Sequence, residues 1–203
     1  MYKELLVRYP IISDQIERDE LEVILCELEA ILDKGIPGDI VEFGCYVGTT
    51  SLFLQRLLIA KKSDKKLYVY DSFDGLPDKT KEDQSPLGSD FKRGELRSTR
   101  ALFIQNFRKA SLPLPIIKKA WFHEIEPAEV PDKIAFAFLD SDYYKSVRSS
   151  LELIEEKLDA GCVIIVDDYN NDKLPGAKKA LDQWITKKSP KLKSIATLAV
   201  VNT

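Results

Sequence analysis

Residues 38–51, with the sequence GDIVEFGCYVGTTS, decide the fold of this chain. Residues 40–43 form a short apolar run with β-branched members, which is typical of a buried strand. Gly44 and Gly48 interrupt this run, and Thr49–Ala60 then has the length and leucine content of a helix. A strand, a glycine turn and a helix in this order place backbone N–H groups and a helix N-terminus at the strand's carboxyl end. That arrangement predicts a site for an anionic or nucleotide-like ligand.

The spacing within this stretch differs from the dinucleotide-binding pattern GxGxxG. Here the order is Glu42-x-Gly44-x-x-x-Gly48, with an acid two residues before the first glycine. Two interpretations remain at this point. The glycines either serve a bound ligand or serve only the tight turn in which they stand.

Composition narrows the class of protein. A chain of 203 residues with 44% hydrophobic and 31% charged residues fits one globular domain. It has no apolar run of the roughly 20 residues that cross a bilayer, and its start lacks a signal-peptide core, so we expect no membrane contact and a cytoplasmic location. A net charge of -3 with interspersed cations argues against nucleic acid as a partner. One histidine and three isolated cysteines disfavour a His-rich metal site, a Ser-His-Asp triad and a disulfide framework.

Strand and helix patterns alternate along the rest of the chain. A helical stripe occupies residues 14–34 of an N-terminal helical segment, 1–37. Further strands are predicted at 67–70, 116–118, 134–139 and 162–166, with one or two closing strands within 195–201. Further helices are predicted at 95–109, 146–158 and 176–188. This alternation predicts a single α/β domain, a doubly wound parallel sheet with right-handed crossovers. The polar stretch 78–93 is longer than an ordinary connection, which favours a mobile loop that covers substrate.

Acidic residues follow three of the predicted strands. Asp71 follows one, Asp140 another, and Asp167 with Asp168 a third. The carboxyl ends of parallel strands meet at one rim, where such sheets bind ligands. Asp71 is placed either to hold a ribose diol or merely to cap its turn. The other three are either solvated loop carboxylates or, because like charges that close repel, ligands of a hard divalent ion such as Mg²⁺.

The segments VEFGCYVGTTS, YDSFDGLP, AWF, FLDSDYYKS and VIIVDDYN resemble the macrocin O-methyltransferase (TylF-like) family of S-adenosylmethionine-dependent enzymes. The resemblance covers roughly residues 35–185 in matching order and spacing. More remotely, the chain is similar to catechol O-methyltransferase-type enzymes. The resemblance implies a Rossmann-like class I methyltransferase three-layer sandwich, with a mostly parallel seven-stranded sheet whose last strand is antiparallel, formed by residues 1–203 as one domain.

The resemblance also implies a role for each matching residue. The methionine end of the cofactor would contact Glu42, Gly44 and Tyr46, and its carboxylate would bind to Thr50 and Ser51. The ribose would be held by Asp71. The adenine would be surrounded by Ser72, Phe73, Trp121 and Phe122. The Mg²⁺ ligands would be Asp140, Asp167 and Asp168, with Asp142 as the nearest stand-in for Asp140.

The function implied is Mg²⁺-assisted transfer of a methyl group from S-adenosylmethionine to a hydroxyl of a small molecule, sugar or phenol-like. The base stays unnamed: Lys145 is either a base or a surface charge, and His123 falls in the adenine-side segment. The oligomeric state stays open, and a homo-oligomer is one of the alternatives. A NAD-type oxidoreductase would require the pattern GxGxxG, which differs from the spacing in this chain, and it would give no role to Asp167 and Asp168. A non-catalytic nucleotide-binding module would need no metal.

Overall fold

Seven strands form one sheet in the computed structural model, which describes residues 1–88, 91–188 and 191–203. The order across the sheet is β3-β2-β1-β4-β5-β7-β6. The strands are β1 (Asp39–Phe43), β2 (Leu67–Asp71), β3 (Ile116–Lys119), β4 (Ile134–Leu139), β5 (Leu158–Val166), β6 (Lys191–Ile195) and β7 (Leu198–Asn202). Only β7 is antiparallel to its neighbours β5 and β6; the other described pairs are parallel. The predicted seven-stranded sheet with an antiparallel last strand is confirmed.

Helices cover both faces of the sheet, which makes three layers. The helices are α1 (Tyr2–Arg8), α2 (Arg18–Asp33), α3 (Thr49–Ala60), α4 (Arg100–Lys109), α5 (Tyr144–Ile154) and α6 (Pro175–Lys188). One buried cluster packs the four helices α1, α2, α3 and α4 against one face of the sheet. A second buried cluster packs α5 and α6 against the other face. Strand β4, IAFAFL, is fully buried and contributes to both clusters, as a central parallel strand must. None of the described helices combines the length and the apolar character needed to cross a membrane.

Several predicted boundaries need correction. Helix α4 begins at Arg100 and not at residue 95, because the Thr99 hydroxyl accepts a hydrogen bond from the Leu102 N–H and starts the helix there. Helix α5 spans Tyr144–Ile154 and not 146–158, and β5 already begins at Leu158 because that residue pairs with β4 ahead of a shift in register. Helix α1 lies within the predicted N-terminal helical segment 1–37, but its bounds were not predicted, since seven residues are too few to show a helical stripe.

The turn after β1 lies against the end of β4. Gly44 has φ +86°, and a side chain there would collide with the carbonyl oxygen of Asp140. The Asp140 N–H in turn donates to the carbonyl oxygen of Phe43 at 2.9 Å. Glycine at this position therefore lets the first turn and the acidic rim of β4 come into direct contact.

The polar segment 78–93 is attached to the rest of the molecule at several described positions. Asp83 is fully buried, and its carboxylate accepts from the Tyr144 N–H at 2.7 Å and from the N–H and hydroxyl of Thr80 at 2.8 Å. The Tyr143 hydroxyl donates to the carbonyl oxygen of Phe91 at 2.6 Å. Residues 89 and 90 lie outside the described part of the chain, and the mobility of the segment stays a prediction.

We predict that Asp83 stabilises the fold by capping α5. Asp83→Asn removes one of the two acceptor oxygens and leaves a buried donor unpaired, which should lower the free energy of unfolding in urea by roughly 1.5–3 kcal/mol. Asp78→Asn is the matched control, because Asp78 pairs with Arg93 at the surface and such pairs contribute little. Equal unfolding curves for the two variants would contradict the capping role of Asp83.

Candidate functional site

A cavity of about 280 Å³ opens at the carboxyl edge of the sheet. Its wall combines the turns after β1, β2, β4 and β5 with the segment before α2 and the turn between β6 and β7. Of the residues singled out in the sequence, those that line it are Gly44, Tyr46, Asp71, Ser72, Trp121, Phe122, Asp140, Asp142, Asp167 and Asp168. The structure thus brings together residues that are up to 124 positions apart in the chain.

Four predicted site residues lie behind this wall. Thr50 and Ser51 are buried in the first turn of α3, and Phe73 packs edge-on against Phe103 with ring centroids 6.1 Å apart. The Glu42 carboxylate accepts a hydrogen bond from the Ser51 hydroxyl, while its Oε1 has no partner. Burial raises the pKa of Glu42 to about 8, because it disfavours the charged form.

Asp71 holds the glycine turn in place. One carboxylate oxygen accepts from the Cys45 N–H at 2.8 Å and the Tyr46 N–H at 3.2 Å, and the other accepts from the Phe73 N–H at 2.6 Å. Asp71 therefore does cap the turn, as one of its two predicted roles required. A ribose contact is compatible with them, since each carboxylate oxygen accepts more than one hydrogen bond.

Three carboxylates converge at the end of β4. Oxygens of Asp140, Asp142 and Asp168 lie within 4.8 Å of one another. Burial raises the pKa of Asp140 well above its usual range, and the negative charges of Asp167, Asp142 and Asp168 raise it further. Burial likewise raises the pKa of Asp168 to about 6. Carboxylates this close to one another repel when they are all charged, and a cation between them removes that repulsion. Their oxygens therefore form a suitable set of ligands for a hard divalent cation.

Asp167 makes different contacts from those three. Its Oδ1 accepts from the Asp168 N–H at 2.7 Å. The single hydroxyl proton of Thr197 is shared between Glu20 Oε1 and this Asp167 oxygen, which lies 3.3 Å from the hydroxyl. Burial, followed by the charges of Asp168 and Glu20, raises the pKa of Asp167 to about 8. Asp167 thus joins β5 to the β6–β7 turn and to helix α2.

Strained backbone is concentrated around this cavity. Tyr46, Asp142 and Asp168 have φ values of 49°, 53° and 58°, in the left-handed region that side chains other than glycine rarely adopt. Phe91 and Leu96, which also line the cavity, have φ values of 61° and 55°. Strain of this kind persists where surrounding contacts hold it, and functional sites are a common place for it.

Several wall residues were missed in the sequence. They include Asp14, Gln15, Ile16, Glu17, Glu20, Ser141, Asn171 and Thr197. Glu17 and Glu20 form a capping box at the start of α2, and this spacing could have placed 14–17 outside the helix. Thr197 gives no signal in the sequence, because only the pairing of β6 with β7 brings it to the cavity.

The described part of the cavity wall carries eight carboxylates and no basic side chain. The acids are Asp14, Glu17, Glu20, Asp71, Asp140, Asp142, Asp167 and Asp168. Lys145 and His123, both considered as a base, are absent from the described wall. The repulsion between these groups is therefore relieved by protons on the buried carboxyl groups or by a cationic ligand.

The sheet order and the rim cavity define the class I methyltransferase fold. The chain belongs to the macrocin-O-methyltransferase (TylF) family, whose model matches residues 14–200. It is 29% identical over 152 residues to 8-demethyl-8-(2,3-dimethoxy-alpha-L-rhamnosyl)-tetracenomycin-C 4'-O-methyltransferase of Streptomyces olivaceus, covering 71% of this chain and 58% of that protein. The chain spans 58% to 65% of the length of the curated relatives it matches.

Two solved structures are similar to the whole sandwich. The O-methyltransferase NovP shares 26% identity with a TM-score of 0.79, over 92% of this chain and 80% of that one. An O-methyltransferase from Bacillus cereus, solved in complex with SAH, shares 12% identity with a TM-score of 0.62, over 100% of this chain and 89% of that one. The second likeness concerns the fold alone.

We predict a pH-dependent contribution of Glu42 to stability. Its pKa in the folded protein, about 8, exceeds its ordinary value of 4.5, so the folded state holds a proton that the unfolded chain releases. This contribution is fully present below pH 4.5 and is lost as the pH rises through about 8. Glu42→Gln keeps the hydrogen bond from Ser51 without the charge, so its unfolding free energy should fall less between pH 5 and pH 9.

Urea unfolding at several pH values measures this difference. Buried rim aspartates with raised pKa values contribute with the same sign, so the variant should flatten the wild-type dependence in part only. Glu4→Gln, at an exposed position, controls for the simple loss of a carboxylate. A Glu42→Gln profile parallel to the wild-type profile would show that Glu42 is ionised in the folded protein.

Proposed function

We propose that this protein is an O-methyltransferase that uses S-adenosylmethionine and a divalent cation, Mg²⁺, to methylate a hydroxyl group of a small molecule. The observation that carries the proposal is a single cavity where the glycine turn held by Asp71 faces the carboxylates of Asp140, Asp142 and Asp168. Family membership supports it, and so does the similarity to the O-methyltransferase NovP.

The cofactor would be held by the turns after β1 and β2. Glu42 Oε1 is buried and lacks a hydrogen-bond donor, and the ammonium group of the methionine moiety is a donor of the kind it lacks. Ser72, Trp121 and Phe122 line the cavity beside Asp71 and offer a polar group and aromatic surface to an adenosine. Once bound, S-adenosylmethionine supplies an electrophilic methyl group, and the chain's own task is to orient the two substrates and exclude water.

The metal would be held by the acidic rim. Carboxylate oxygens alone suit Mg²⁺, which prefers hard oxygen ligands and completes its shell with waters and substrate oxygens. The chemistry that a divalent cation supplies is a lowered pKa of a coordinated hydroxyl and a defined position for it. The carboxylates of the wall are also the groups able to accept the hydroxyl proton, since no lysine or histidine belongs to the described wall.

The charge of the wall bears on the acceptor. Eight carboxylates without a basic side chain disfavour an acceptor that carries a phosphate or a carboxylate of its own. A neutral sugar or a phenol-like hydroxyl fits this wall, and the relative from Streptomyces olivaceus is named for methylation of a rhamnosyl-bearing compound. Phe91 belongs to both the wall and the segment 78–93, which supports a role for that segment over the acceptor.

The alternative functions fit the site less well. A NAD-type oxidoreductase gives no role to three clustered carboxylates next to the glycine turn. A non-catalytic nucleotide-binding module needs neither these carboxylates nor the strained backbone at Asp142 and Asp168. Both features have a use when a metal and an acceptor share the cavity with the cofactor.

We predict that the protein binds S-adenosylhomocysteine in calorimetry and does not bind NAD. Asp71→Asn should weaken that binding by about tenfold or more, the equivalent of roughly 1.5–3 kcal/mol, because hydrogen bonds to a charged group are lost at the ribose and in the turn. Asp74→Asn is the matched control, since Asp74 is partly exposed and makes surface ion pairs with Arg97 and Lys119. Unchanged affinity in Asp71→Asn would remove Asp71 from the cofactor site.

A further inference from the structure

We infer that Asn171 is a positioning residue of the metal site, which holds Asp168 in the orientation in which that carboxylate binds the divalent cation. This inference rests on the metal part of the proposed function. It changes none of the candidate ligands and adds the residue that fixes one of them.

Asn171 holds Asp168 through both its side chain and its backbone. The Asn171 Nδ2 donates to Asp168 Oδ1 at 2.7 Å, and the Asn171 N–H donates to the carbonyl oxygen of Asp168 at 3.1 Å. The N–H of Asp168 itself donates to Asp167 Oδ1 at 2.7 Å. These contacts fix the backbone and one carboxylate oxygen of Asp168. Its other oxygen, Oδ2, accepts no hydrogen bond from the described residues and is free to bind a cation.

The hydrogen bonds on the two sides of the Asn171 amide define its orientation. Its Oδ1 accepts from the Lys173 N–H at 3.0 Å, in the turn that follows. An amide oxygen only accepts and an amide nitrogen only donates. With the amide reversed, its oxygen would face a carboxylate oxygen of Asp168 and its nitrogen would face the Lys173 N–H, so both hydrogen bonds would be lost. Asn171 therefore gives Asp168 a donor, while its own oxygen is bonded to the backbone.

Asp168 needs such a contact because its neighbours repel it. The residue has φ +58°, and one of its oxygens lies within 4.8 Å of oxygens of Asp140 and Asp142. Repulsion between these carboxylates favours rotation of the Asp168 side chain away from the other two. A hydrogen bond to a charged oxygen is stronger than one between neutral groups, and the bond from Asn171 opposes that rotation.

A neutral donor suits this place better than a basic side chain. A lysine or an arginine could hold Asp168 as firmly, but its positive charge would balance the carboxylate and compete with the cation. Asn171 belongs to the cavity wall, whose described part has no basic side chain. The amide holds Asp168 and leaves its negative charge available to a metal. Loss of such an outer-shell partner typically lowers metal affinity by about 10- to 100-fold.

Binding of Mn²⁺ to the protein, without cofactor or acceptor, tests the inference. Mn²⁺ prefers the same oxygen donors as Mg²⁺, and the loss of its free signal in electron paramagnetic resonance reports binding directly. In Asn171→Ser the hydroxyl can still accept from the Lys173 N–H, as serine does in turns. It ends one bond short of the amide nitrogen, so the contact with Asp168 is lost. The dissociation constant for Mn²⁺ should rise by about tenfold or more.

Asn170→Ser is the matched control, because the neighbouring asparagine uses its amide elsewhere. Its Nδ2 donates to Ser194 Oγ and to the carbonyl oxygen of Ala196, in the β6–β7 hairpin. The control loses an amide near the rim but no contact with Asp168, so its dissociation constant for Mn²⁺ should rise by less than about threefold. Thermal melting and calorimetry with S-adenosylhomocysteine check that both variants fold and retain the cofactor site. General loosening of the loop would weaken Mn²⁺ binding in both.

A crystal structure of the wild-type protein with Mn²⁺ separates a positioning residue from a ligand. We expect the Asn171 Nδ2 on Asp168, and the Asn171 oxygen outside the roughly 2.0–2.6 Å at which oxygen ligands bind such ions. This measurement needs no variant, so it tests the inference even where a substitution prevents folding.

The outcomes separate the inference from the function on which it rests. Wild-type affinity in Asn171→Ser, an equal loss in Asn170→Ser, or an Asn171 oxygen bound to the ion would overturn the positioning role. Failure of the wild-type protein to bind Mn²⁺ would instead remove the metal from the proposed function, and the inference with it. Calorimetric binding of S-adenosylhomocysteine would leave the cofactor assignment standing in either case.

Discussion

The contact between Gly44 and the backbone of Asp140 is the constraint on which the site depends. Strands β1 and β4 are neighbours in the sheet, so their carboxyl ends are close, but a side chain at position 44 would collide with the Asp140 carbonyl oxygen. Glycine lets the turn after β1 pass directly over the end of β4. The residues that would hold a cofactor and those that would hold a metal consequently share one cavity, and a methyl group and a hydroxyl can be brought together there.

Electrostatics gives this cavity a second constraint. The described wall concentrates negative charge, and burial together with mutual repulsion raises the pKa of its central carboxyl groups. Such a wall is stabilised by protons or by bound cations, and both a sulfonium cofactor and a divalent metal bring positive charge. The Thr197 hydroxyl, in the turn before β7, donates to Asp167 and to Glu20 of α2, which shows how hydrogen bonds from distant parts of the fold arrange the surrounding acids.

Much of the fold follows from local sequence patterns. Helix α3 and strand β4 have the predicted bounds because a leucine-rich helix after a glycine turn and an uninterrupted apolar run are unambiguous patterns. The boundaries of α4, α5 and β5 were displaced because caps and strand pairing, which depend on distant residues, decide where an element begins. The edge strand β6 and helix α1 carry too few buried residues to be recognised from periodicity.

By itself, the sequence determined the order of strands and helices, the glycine turn, and the presence of acids at the ends of three strands, because each of these is a property of consecutive residues. Only the tertiary structure decided which acids face one another. Oxygens of Asp142 lie close to those of Asp140 and Asp168, and Asp167 is held by Thr197, since the direction of a side chain after a strand depends on the backbone of its turn and on partners from elsewhere in the chain. The same holds for Glu20 and Thr197, which reach the cavity wall only because α2 and the β6–β7 turn pack beside β5.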